Sequence, residues 1–444
     1  MESNKTKLTV VSNFPFQNRV SAGKTQHKIW IKMTKHFYDM LENNDEMLLV
    51  SPQSWGSPSN KVLRIFQDNK VKYINFDSGE YFPDVGSSFS DYHIIKQDKP
   101  TGSTKLIINE ENYDYQIGNS LLYIPNDICD LSLSIHQKVI FSQKNKLPVK
   151  HDYSTCHNIL LKKSDTLSKT QTAKHIHPVF HTNRQTWFSS RRQDFSDKIK
   201  IMWTRSGYTK PFYDDGVLGG TDMMYYVLVD SESGGKSLAR TLNSDLFQYI
   251  FKTAKWSGFG NEKVFKALPN ILGINFHTDE EMYEYFNLSD EEIEYLKNHG
   301  VAKKKKSTRK KEIRTKNRVD EFGEVFTPKE LVVQMLDNIN KRDWADPDCH
   351  HIDPACGNGN FLVEIVKRKL EAGLTLSQVL ASSRGVDIMP DNVAECRVRV
   401  IDVIKDFFQT NGDDFNPDQI ESLVNSSVFV GDAFDLDLTD IKPS

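Results

Sequence analysis

Residues 353–361 read Asp353-Pro-Ala-Cys-Gly-Asn-Gly-Asn-Phe361, a glycine turn between two patterned segments. The apolar residues before the turn predict a strand near Ile352, and apolar residues at helical spacing after it predict a helix from Asn360. Gly357 and Gly359 permit the left-handed backbone that brings a turn close to a ligand. A strand, a glycine turn and a helix form the first unit of a nucleotide-binding α/β sheet; the alternative is an ordinary strand–helix turn.

The chemistry of this turn differs from that of a dinucleotide site. The third glycine of the dinucleotide fingerprint is missing, and Asp353 places a carboxylate where a pyrophosphate would be repelled. That carboxylate suits a cationic ligand, and the helix that begins at Asn360 directs its N–H groups toward the turn. Such a unit usually opens its domain, yet little sequence follows it here. We therefore expect part of the catalytic machinery to lie upstream.

The length and composition of the chain limit the classes of protein to which it can belong. A length of 444 residues allows two or three domains, and a formal net charge of −3 means that nucleic-acid binding would need local basic patches. No apolar run is long enough to span a bilayer, and the first residues do not read as a signal peptide. The five scattered cysteines include no Cys-x-x-Cys pair, which favours a reducing cytosol over a disulfide framework or a zinc knuckle. We expect a soluble cytoplasmic protein.

Three regions of the chain differ in composition and in their predicted secondary structure. Residues 1–100 and 319–444 alternate strand and helix patterns, which predicts a mostly parallel sheet, whereas residues 101–300 are less regular and more aromatic. Residues 302–318 hold ten basic residues and one acid, a run that could track phosphates or serve as a solvated linker. Strands are predicted at 7–11, 46–50, 71–76 and 427–430 and near Ile352 and Gly385, and helices at 30–41, from Val62, and from about Lys329, Asn360 and Asp391.

Two further motifs follow predicted strands of the C-terminal region. Asp387 ends the strand after the glycine turn, where an acid can accept hydrogen bonds from both hydroxyls of a ribose; the alternative is a helix-capping aspartate. Asp432 and Phe434 lie in Gly431-Asp-Ala-Phe434, after the third strand. Their side chains could accept a hydrogen bond from an adenine amino group and pack on its ring.

Asn13-Phe14-Pro15-Phe16 follows the first strand of the chain. The Asn13 amide oxygen and the Pro15 backbone carbonyl could together accept two hydrogen bonds from an exocyclic amine. Phe16 offers a face on which a base could stack. Taken alone, the tetrapeptide could also be a plain loop.

Histidines at 175, 177 and 181 are the remaining candidates for ligand binding. No nearby cysteine or carboxylate completes a metal-binding set with them. We interpret this stretch as a polar loop and predict no metal site.

Together these motifs resemble those of the amino-group DNA methyltransferases that use S-adenosylmethionine, closest to the adenine-N6 kind found in restriction–modification systems and phages. Residues 353–361 look like their motif I, and Gly323-Glu-Val-Phe-Thr-Pro328 looks like motif X. Asp387 falls at motif II and Gly431–Phe434 at motif III. Motif IV in the family reads Asn-Pro-Pro-Tyr or Asn-Pro-Pro-Phe, and residues 13–16 match it except that Phe14 replaces the first proline.

Other segments extend the resemblance and reveal an unusual order. Leu48–Trp55 and Tyr81–Gly86 look like later catalytic segments, and residues 240–270 look like the end of a target-recognition domain. The common order runs X, I, II, III, IV to VIII and then target recognition, whereas this chain begins at motif IV and ends at motif III. Joining Ser444 to Met1 would restore the usual order. The resemblance therefore implies a circular permutation, with residues 302–318 as the new connection.

The resemblance implies a Rossmann-like, mostly parallel methyltransferase sheet assembled from both ends of the chain, with a mixed α+β target-recognition domain in the middle. The implied domains are 1–100, the catalytic half; 101–300, target recognition; 301–318, a basic linker; and 319–444, the cofactor-binding half. Asn13, Pro15 and Phe16 are the implied catalytic residues. The residues implied to bind S-adenosylmethionine are Phe326, Thr327, Asp353, Ala355, Cys356, Gly357, Gly359, Asp387, Ile388, Asp432, Ala433 and Phe434.

The implied activity is site-specific methylation of N6 of an adenine flipped out of double-stranded DNA, in a bacterial cell or a phage-infected host. Cytosine N4, RNA or a protein glutamine amide are alternative acceptors for the same chemistry. A DNA-binding specificity protein that no longer catalyses is a further alternative, with Phe14 as its main support. We find no convincing nuclease constellation, so we expect methylation without cleavage, and a companion restriction nuclease would be a separate partner.

Overall fold

The computed structural model describes residues 6–16, 29–58, 60–83, 88–97, 102–115, 117, 121–153, 155–156, 166–182, 185–205, 210–255, 262–299, 325–412 and 414–437. These residues divide into two compact units. We call the first the sheet unit; it contains the described residues within 1–55, 61–119 and 306–444. We call the second the middle unit; it contains those within 56–60 and 120–305.

The strands and helices alternate along both ends of the chain. The strands are β1 (Lys7–Asn13), β2 (Glu46–Pro52), β3 (Lys70–Asn75), β4 (Phe89–Ile95), β5 (Thr104–Ile108), β6 (Glu111–Tyr115), β7 (Leu167–Ser168), β8 (His177–Phe180), β9 (Thr186–Ser189), β10 (Lys200–Thr204), β11 (Phe212–Asp214), β12 (Gly219–Gly220), β13 (Met224–Leu228), β14 (Cys349–Asp353), β15 (Ser383–Asp387) and β16 (Val428–Val430). The α-helices are α1 (Ile29–Met40), α2 (Val62–Asp68), α3 (Asp130–His136), α4 (Glu232–Leu242), α5 (Asp245–Thr253), α6 (Glu262–Lys266), α7 (Asp279–Tyr285), α8 (Asp290–His299), α9 (Lys329–Leu336), α10 (Lys341–Trp344), α11 (Asn360–Glu371), α12 (Leu376–Ala381), α13 (Pro390–Asn411) and α14 (Pro417–Ser427).

The sheet unit is built on a nine-stranded sheet in the order β16-β15-β14-β1-β2-β4-β3-β5-β6. The first five strands of this order are parallel, and β4 runs antiparallel to both β2 and β3. On one side of β14 the sheet continues with β15 and then β16, which follow β14 in the chain. On the other side it continues with β1 and then β2. The point between β14 and β1, where the strand order changes direction, is the switch point of a doubly wound α/β sheet.

The position of β1 confirms the fold class expected from the sequence. β1 lies between β14 and β2, with Val10 opposite Ile352 and Asn13 opposite Val50. The sheet is therefore Rossmann-like, mostly parallel and assembled from both ends of the chain. All five residues of β14 are buried, as expected for a central parallel strand covered on both faces.

A buried lysine fixes helix α11 to the sheet. Lys369 is fully buried, and its Nζ donates to the carbonyl of Cys349 at 2.7 Å and to the carbonyl of Ser382 at 3.0 Å. These two carbonyls mark the beginnings of β14 and β15, so one side chain links the helix to two strands. Burial lowers the pKa of Lys369 to about 7, because removal from water disfavours the charged ammonium.

Lys7, at the beginning of β1, links this strand to β2 and to α10. Lys7 Nζ lies 2.8 Å from Glu46 and 2.7 Å from Asp343, and Glu46 also bonds to His93 at 2.9 Å. Burial opposes ionisation of Glu46, but the hydrogen bonds from His93 and Lys7 and the positive charge of Lys7 outweigh it and hold its pKa at about 2. The buried carboxylate is therefore charged and paired at neutral pH.

The middle unit is a mixed α+β structure with its own core. Strands β11-β10-β13 form an antiparallel sheet, and β12-β8-β9-β7 form a second, four-stranded sheet. The core includes Trp203, Tyr225, Phe247 and Phe265, contributed by strands and helices of this unit. The fold class expected for the middle of the chain is therefore confirmed.

The predicted strands and helices of both ends are confirmed, with small shifts in their bounds. β5 and β6 fall within 101–300 but extend the nine-stranded sheet. The helices α10, α12 and α14 were not predicted. No helix among the described residues has the length and hydropathy that a bilayer-spanning segment needs.

Replacing Lys369 with methionine tests how the helix is held. The variant leaves the carbonyls of Cys349 and Ser382 without this donor, so we expect the free energy of unfolding to fall by about 1–3 kcal/mol. In the wild type the pKa of Lys369 is lower when folded than the usual 10.5, so wild-type stability rises with pH through this interval. The loss should therefore be larger at pH 9 than at pH 6.5 in urea unfolding. Lys367→Met, on the exposed side of the same helix, is the control; an equal loss in both variants would contradict the role of Lys369.

Candidate functional site

The carboxyl ends of four parallel strands bring the predicted motifs to one edge of the sheet. β1 ends at Asn13, β14 at Asp353, β15 at Asp387 and β16 at Val430. Because these strands are adjacent and parallel, residues from the two ends of the chain share that edge. Ligands of doubly wound sheets bind at this edge, near the switch point, which makes it the candidate site.

The glycine turn has the backbone that its sequence predicts. Gly357 has a φ of +52° and Gly359 a φ of +90°, both in the left-handed region. A Cβ at position 357 would lie 2.8 Å from the ring of Phe326, and one at position 359 would lie 2.5 Å from the Sγ of Cys396. The turn is therefore packed on two sides, and glycine is required at both positions. Gly359 is also the residue before helix α11.

Asp353 is a buried carboxyl group whose hydrogen bonds, within the described part of the chain, include no cationic donor. It is 1% exposed and accepts from the Ser12 hydroxyl at 2.8 Å and from the Ala355 N–H at 3.2 Å. Burial raises its pKa to about 7, although these two hydrogen bonds favour the charged form; the charge of Asp387 raises it further. A cationic ligand would stabilise the ionised carboxylate.

Asp387 holds the glycine turn and the next helix. Its Oδ2 accepts from the Gly357 N–H at 2.9 Å, and its Oδ1 accepts from the Met389 N–H at 2.8 Å. The N-cap residue of α13 is Met389, so Asp387 bonds to the backbone of the N-cap residue and is not itself the helix cap that was the alternative. The ribose-binding role stays a prediction.

Strand β16 is followed by a short turn that contains Asp432, Ala433 and Phe434. Asp432 accepts from the N–H of Phe434 at 3.0 Å, and Ala433 between them is buried. The Phe434 ring lies edge-on to His36 of α1, at 5.3 Å between centroids. Ile388, after β15, is 62% exposed.

The segment before α9 connects the glycine turn to the Asn13 loop. Asn360 donates to the carbonyl of Thr327 at 2.8 Å, and Asn13 Nδ2 donates to the carbonyl of Val325 at 3.0 Å. Thr327 is buried, as is Cys356 within the turn. The Oδ1 atom of Asn13 is buried and has no hydrogen-bond partner among the residues that the structure describes. A buried amide oxygen of this kind is costly unless a ligand completes it.

The three residues after Asn13 take different environments. Phe14 is 1% exposed and stacks on Phe37 of α1 at 5.7 Å, so the side chain that replaces a family proline belongs to the core. Pro15 is partly buried. Phe16 is 9% exposed, and its ring lies 4.6 Å from that of Phe89. In this loop the side chains of Phe14 and Phe16 are packed on other rings, whereas the Oδ1 of Asn13 is an acceptor without a donor among the described residues.

Several residues of the site were not predicted from the sequence. Ser12 was a weak signal, because it is a polar residue that interrupts the apolar run of β1 next to Asn13. Phe89 and His36 gave no local signal, since each reaches the site through tertiary packing. The basic run at 302–318, residues 323–324 of the segment likened to motif X and residues 84–86 lie outside the described residues.

The stretch with the three histidines is only partly the polar loop predicted from the sequence, because His177 begins β8. His175 bonds to Thr172 at 2.9 Å, and His181 bonds to Thr221 at 2.9 Å and stacks on Trp187. Within the described ranges, no group of three or more histidine, cysteine or acidic side chains is arranged to hold a metal ion.

Comparison with known proteins adds a distant likeness to a solved structure. No family model and no curated protein matches the sequence. Among solved structures, the chain is similar to the type IIG restriction endonuclease BpuSI, with 9% identity and a TM-score of 0.23 over 61% of this chain and 45% of that one. The likeness therefore spans less than half of that enzyme's length, and we base the proposal of function on the residues of the site alone.

Substituting Gly359 by alanine tests the packing of the glycine turn. Gly373 has the same φ of +90°, but no atom lies within 4 Å of the place that a Cβ would take there, so Gly373→Ala should cost only the backbone strain of about 1–2 kcal/mol. Gly359→Ala should cost more, because its methyl group also meets Cys396. Thermal unfolding measures both, and adding Cys396→Ala should recover part of the difference. Equal losses at the two glycines would contradict the steric role.

Replacing Asp353 with asparagine tests the electrostatic cost of the buried carboxyl. Because its pKa is near 7 when folded and near 4 when unfolded, the wild type loses stability as pH rises from about 4 to 7. Asparagine keeps an acceptor for Ser12 and Ala355 but cannot ionise. Without ligand, Asp353→Asn should be more stable than wild type at pH 8 and similar at pH 4 in urea unfolding. Asp402→Asn, on the exposed face of α13, is the control; a variant less stable at pH 8 would contradict this cost.

Proposed function

We propose that this chain is an S-adenosylmethionine-dependent methyltransferase that acts on N6 of an adenine flipped out of duplex DNA. The observation that carries the proposal is the buried Oδ1 of Asn13, which has no hydrogen-bond partner within the described residues. It lies at the same sheet edge as Asp353, to which its neighbour Ser12 is hydrogen-bonded. An acceptor for an amine and a carboxylate for a cation therefore adjoin each other.

The residues of the edge fit the proposed cofactor. The ionised Asp353 would attract the ammonium of its methionine portion, and the glycine turn, which packs against Phe326 at Gly357, would present its backbone to the cofactor. Asp387 would accept the ribose hydroxyls, while Ile388, Asp432 and Phe434 would contact the adenine, with Thr327, Ala355, Cys356 and Ala433 supporting these contacts. When bound, S-adenosylmethionine supplies an electrophilic methyl group.

The protein's part in the reaction is to orient the acceptor amine. The bond from Asn13 Nδ2 to Val325 fixes the side-chain amide so that Oδ1 is the atom left to accept a hydrogen bond. Hydrogen bonds from the amine to Asn13 Oδ1 and the Pro15 carbonyl would localise the nitrogen lone pair and direct it to the methyl group. Phe16 would stack on the flipped base, and its ring is supported by Phe89.

The strand order supports the proposed permutation. β1, which carries the loop likened to motif IV, lies directly beside β14, which carries the glycine turn. The segments likened to motifs I, II and III follow each other outward on β14, β15 and β16. The spatial order is thus that of an unpermuted doubly wound sheet, although the chain order is not.

The packing of Phe14 favours the catalytic proposal over a non-catalytic DNA-binding protein. Phe14 was the main support for lost activity, because it replaces a proline of the family motif. Its side chain stacks on Phe37 in the core, while Asn13 Oδ1 keeps its position at the edge. This favours the catalytic proposal, because the atom that would accept a hydrogen bond from the amine is still available.

The test is methyl transfer to DNA by the purified chain with radiolabelled S-adenosylmethionine. Asn13→Ala should bind the cofactor as wild type does but lose about 10²–10³-fold in turnover, because it removes a hydrogen bond that acts at the reacting nitrogen. Asp353→Ala should lose cofactor binding in calorimetry. Product analysis would separate 6-methyladenine from 4-methylcytosine, RNA or protein products.

Asn338→Ala, at an exposed asparagine of the sheet unit, is the matched control and should keep full activity. Wild-type turnover in the Asn13→Ala variant would contradict the catalytic role of Asn13. A wild-type chain that binds no S-adenosylmethionine would overturn the proposed function itself.

A further inference from the structure

The loop between β7 and β8, residues 169–176, forms a basic and exposed surface on the middle unit. It reads Lys-Thr-Gln-Thr-Ala-Lys-His-Ile, with two lysines and no acid. Every residue except His175 is exposed, and Ile176 is 52% exposed. We call it the 169–176 loop. The 169–176 loop therefore offers cations, a long amide and an apolar side chain to a partner.

The 169–176 loop is held in one conformation by its own hydrogen bonds. The Thr172 hydroxyl bonds to His175 Nδ1 at 2.9 Å, and the N–H of His175 donates to the same hydroxyl at 3.1 Å. The N–H of Thr170 donates to Ser168 at 3.2 Å. His175 is 8% exposed and anchors the turn. A loop that is ordered in advance loses less entropy when it binds a partner.

The strand after this loop places a further cation beside it. His177, which begins β8, pairs with Ser189, which ends β9. Arg191, two residues after Ser189, therefore lies at the same end of the four-stranded sheet as Ile176. Arg191 is exposed, whereas its neighbour Arg192 is paired with Asp197 at 2.7 Å. The surface thus carries the charges of Lys169, Lys174 and Arg191.

We propose that the 169–176 loop and Arg191 form a duplex-DNA contact surface, an inference that rests on the proposed function. Lys169, Lys174 and Arg191 would bind phosphates, and Gln171 would read a base edge. Glutamine can bond to N6 and N7 of adenine, and an apolar group such as Ile176 can contact the methyl group of thymine.

A second exposed loop in the middle unit lacks these properties. Val217 is 56% exposed, so it also presents an apolar group. Its neighbour Asp215 is exposed, and Asp214 in the same turn is buried against Lys200 at 2.6 Å. An exposed acid repels phosphate, and Lys200 of β10, which pairs with Asp214, is fully buried. The 169–176 loop is therefore the better match to DNA.

Fluorescence anisotropy with labelled duplex DNA over a range of salt concentrations tests the phosphate contacts. The double variant Lys169→Glu/Lys174→Glu should weaken binding by about tenfold or more and reduce the salt slope by about 2, since each lost phosphate contact removes nearly one. Binding of S-adenosylmethionine should be unchanged. Lys144→Glu/Lys297→Glu makes the same charge change at exposed lysines elsewhere in the middle unit and should have a much smaller effect.

A separate variant tests base reading. Gln171→Ala should keep the affinity for random DNA and its salt slope but lose about tenfold in preference for the methylated site, found by sequencing, over a site with one changed base. If the circular dichroism spectrum shows that the Lys169→Glu/Lys174→Glu variant is misfolded, Lys169→Gln/Lys174→Gln replaces it, because this variant removes the two positive charges without adding negative ones.

Three results would overturn the inference: unchanged DNA affinity and salt slope in the loop variants, an equal loss in the Lys144/Lys297 control, or equal affinity for duplex RNA in competition. Each of these can occur while the wild type still binds S-adenosylmethionine and methylates DNA. Failure of the inference is therefore distinguishable from failure of the proposed function.

Discussion

The parallel pairing of β1 with β14 is the interaction on which the rest of the sheet unit depends. It runs from Lys7 opposite Cys349 to Val10 opposite Ile352, and it is extended at its two ends by the Lys7–Asp343 ion pair and the Ser12–Asp353 hydrogen bond. Without this pairing, the Asn13 loop and the glycine turn would belong to separate half-sheets. With it, their chemical groups are fixed on adjacent strands, and the proposed chemistry requires that adjacency.

The site combines two unfavourable groups, which is characteristic of a binding site prepared for a specific ligand. Within the described residues, Asp353 is a buried carboxyl whose hydrogen bonds include no cation, and Asn13 Oδ1 is a buried acceptor without a donor. Each lowers the stability of the unliganded protein, and each matches one component of the proposed reaction. By contrast, the buried carboxylate of Glu46, at the opposite end of the strands, is fully paired and supports the fold.

The local patterns of the sequence predicted six strands of the nine-stranded sheet and the long helices near them, because apolar periodicity and glycine turns are local properties. The strands β4, β5 and β6 and those of the middle unit were not predicted. Helix α12 was missed although Thr375 and Gln378 form a capping box that was readable in the sequence. The insertion of β4 between β2 and β3, and the hairpin of β5 and β6, depend on pairing between distant segments, which no local pattern encodes. The same limit applies to the site: Asn13 and Asp353 were predicted from motifs, whereas the contact of Phe16 with Phe89 depends on tertiary packing.

The central place of β1 has a consequence for how the protein is made. A ribosome completes β1 long before β14, and Ser12 and Asp353 are 341 positions apart. During that interval one side of β1 is an open strand edge, with backbone donors and acceptors exposed to pairing with other chains. The middle unit, most of which lies within residues 120–305, can fold first. Completion of the nine-stranded sheet is then a late, long-range closure, and until it occurs the edge of β1 is open to pairing with other chains.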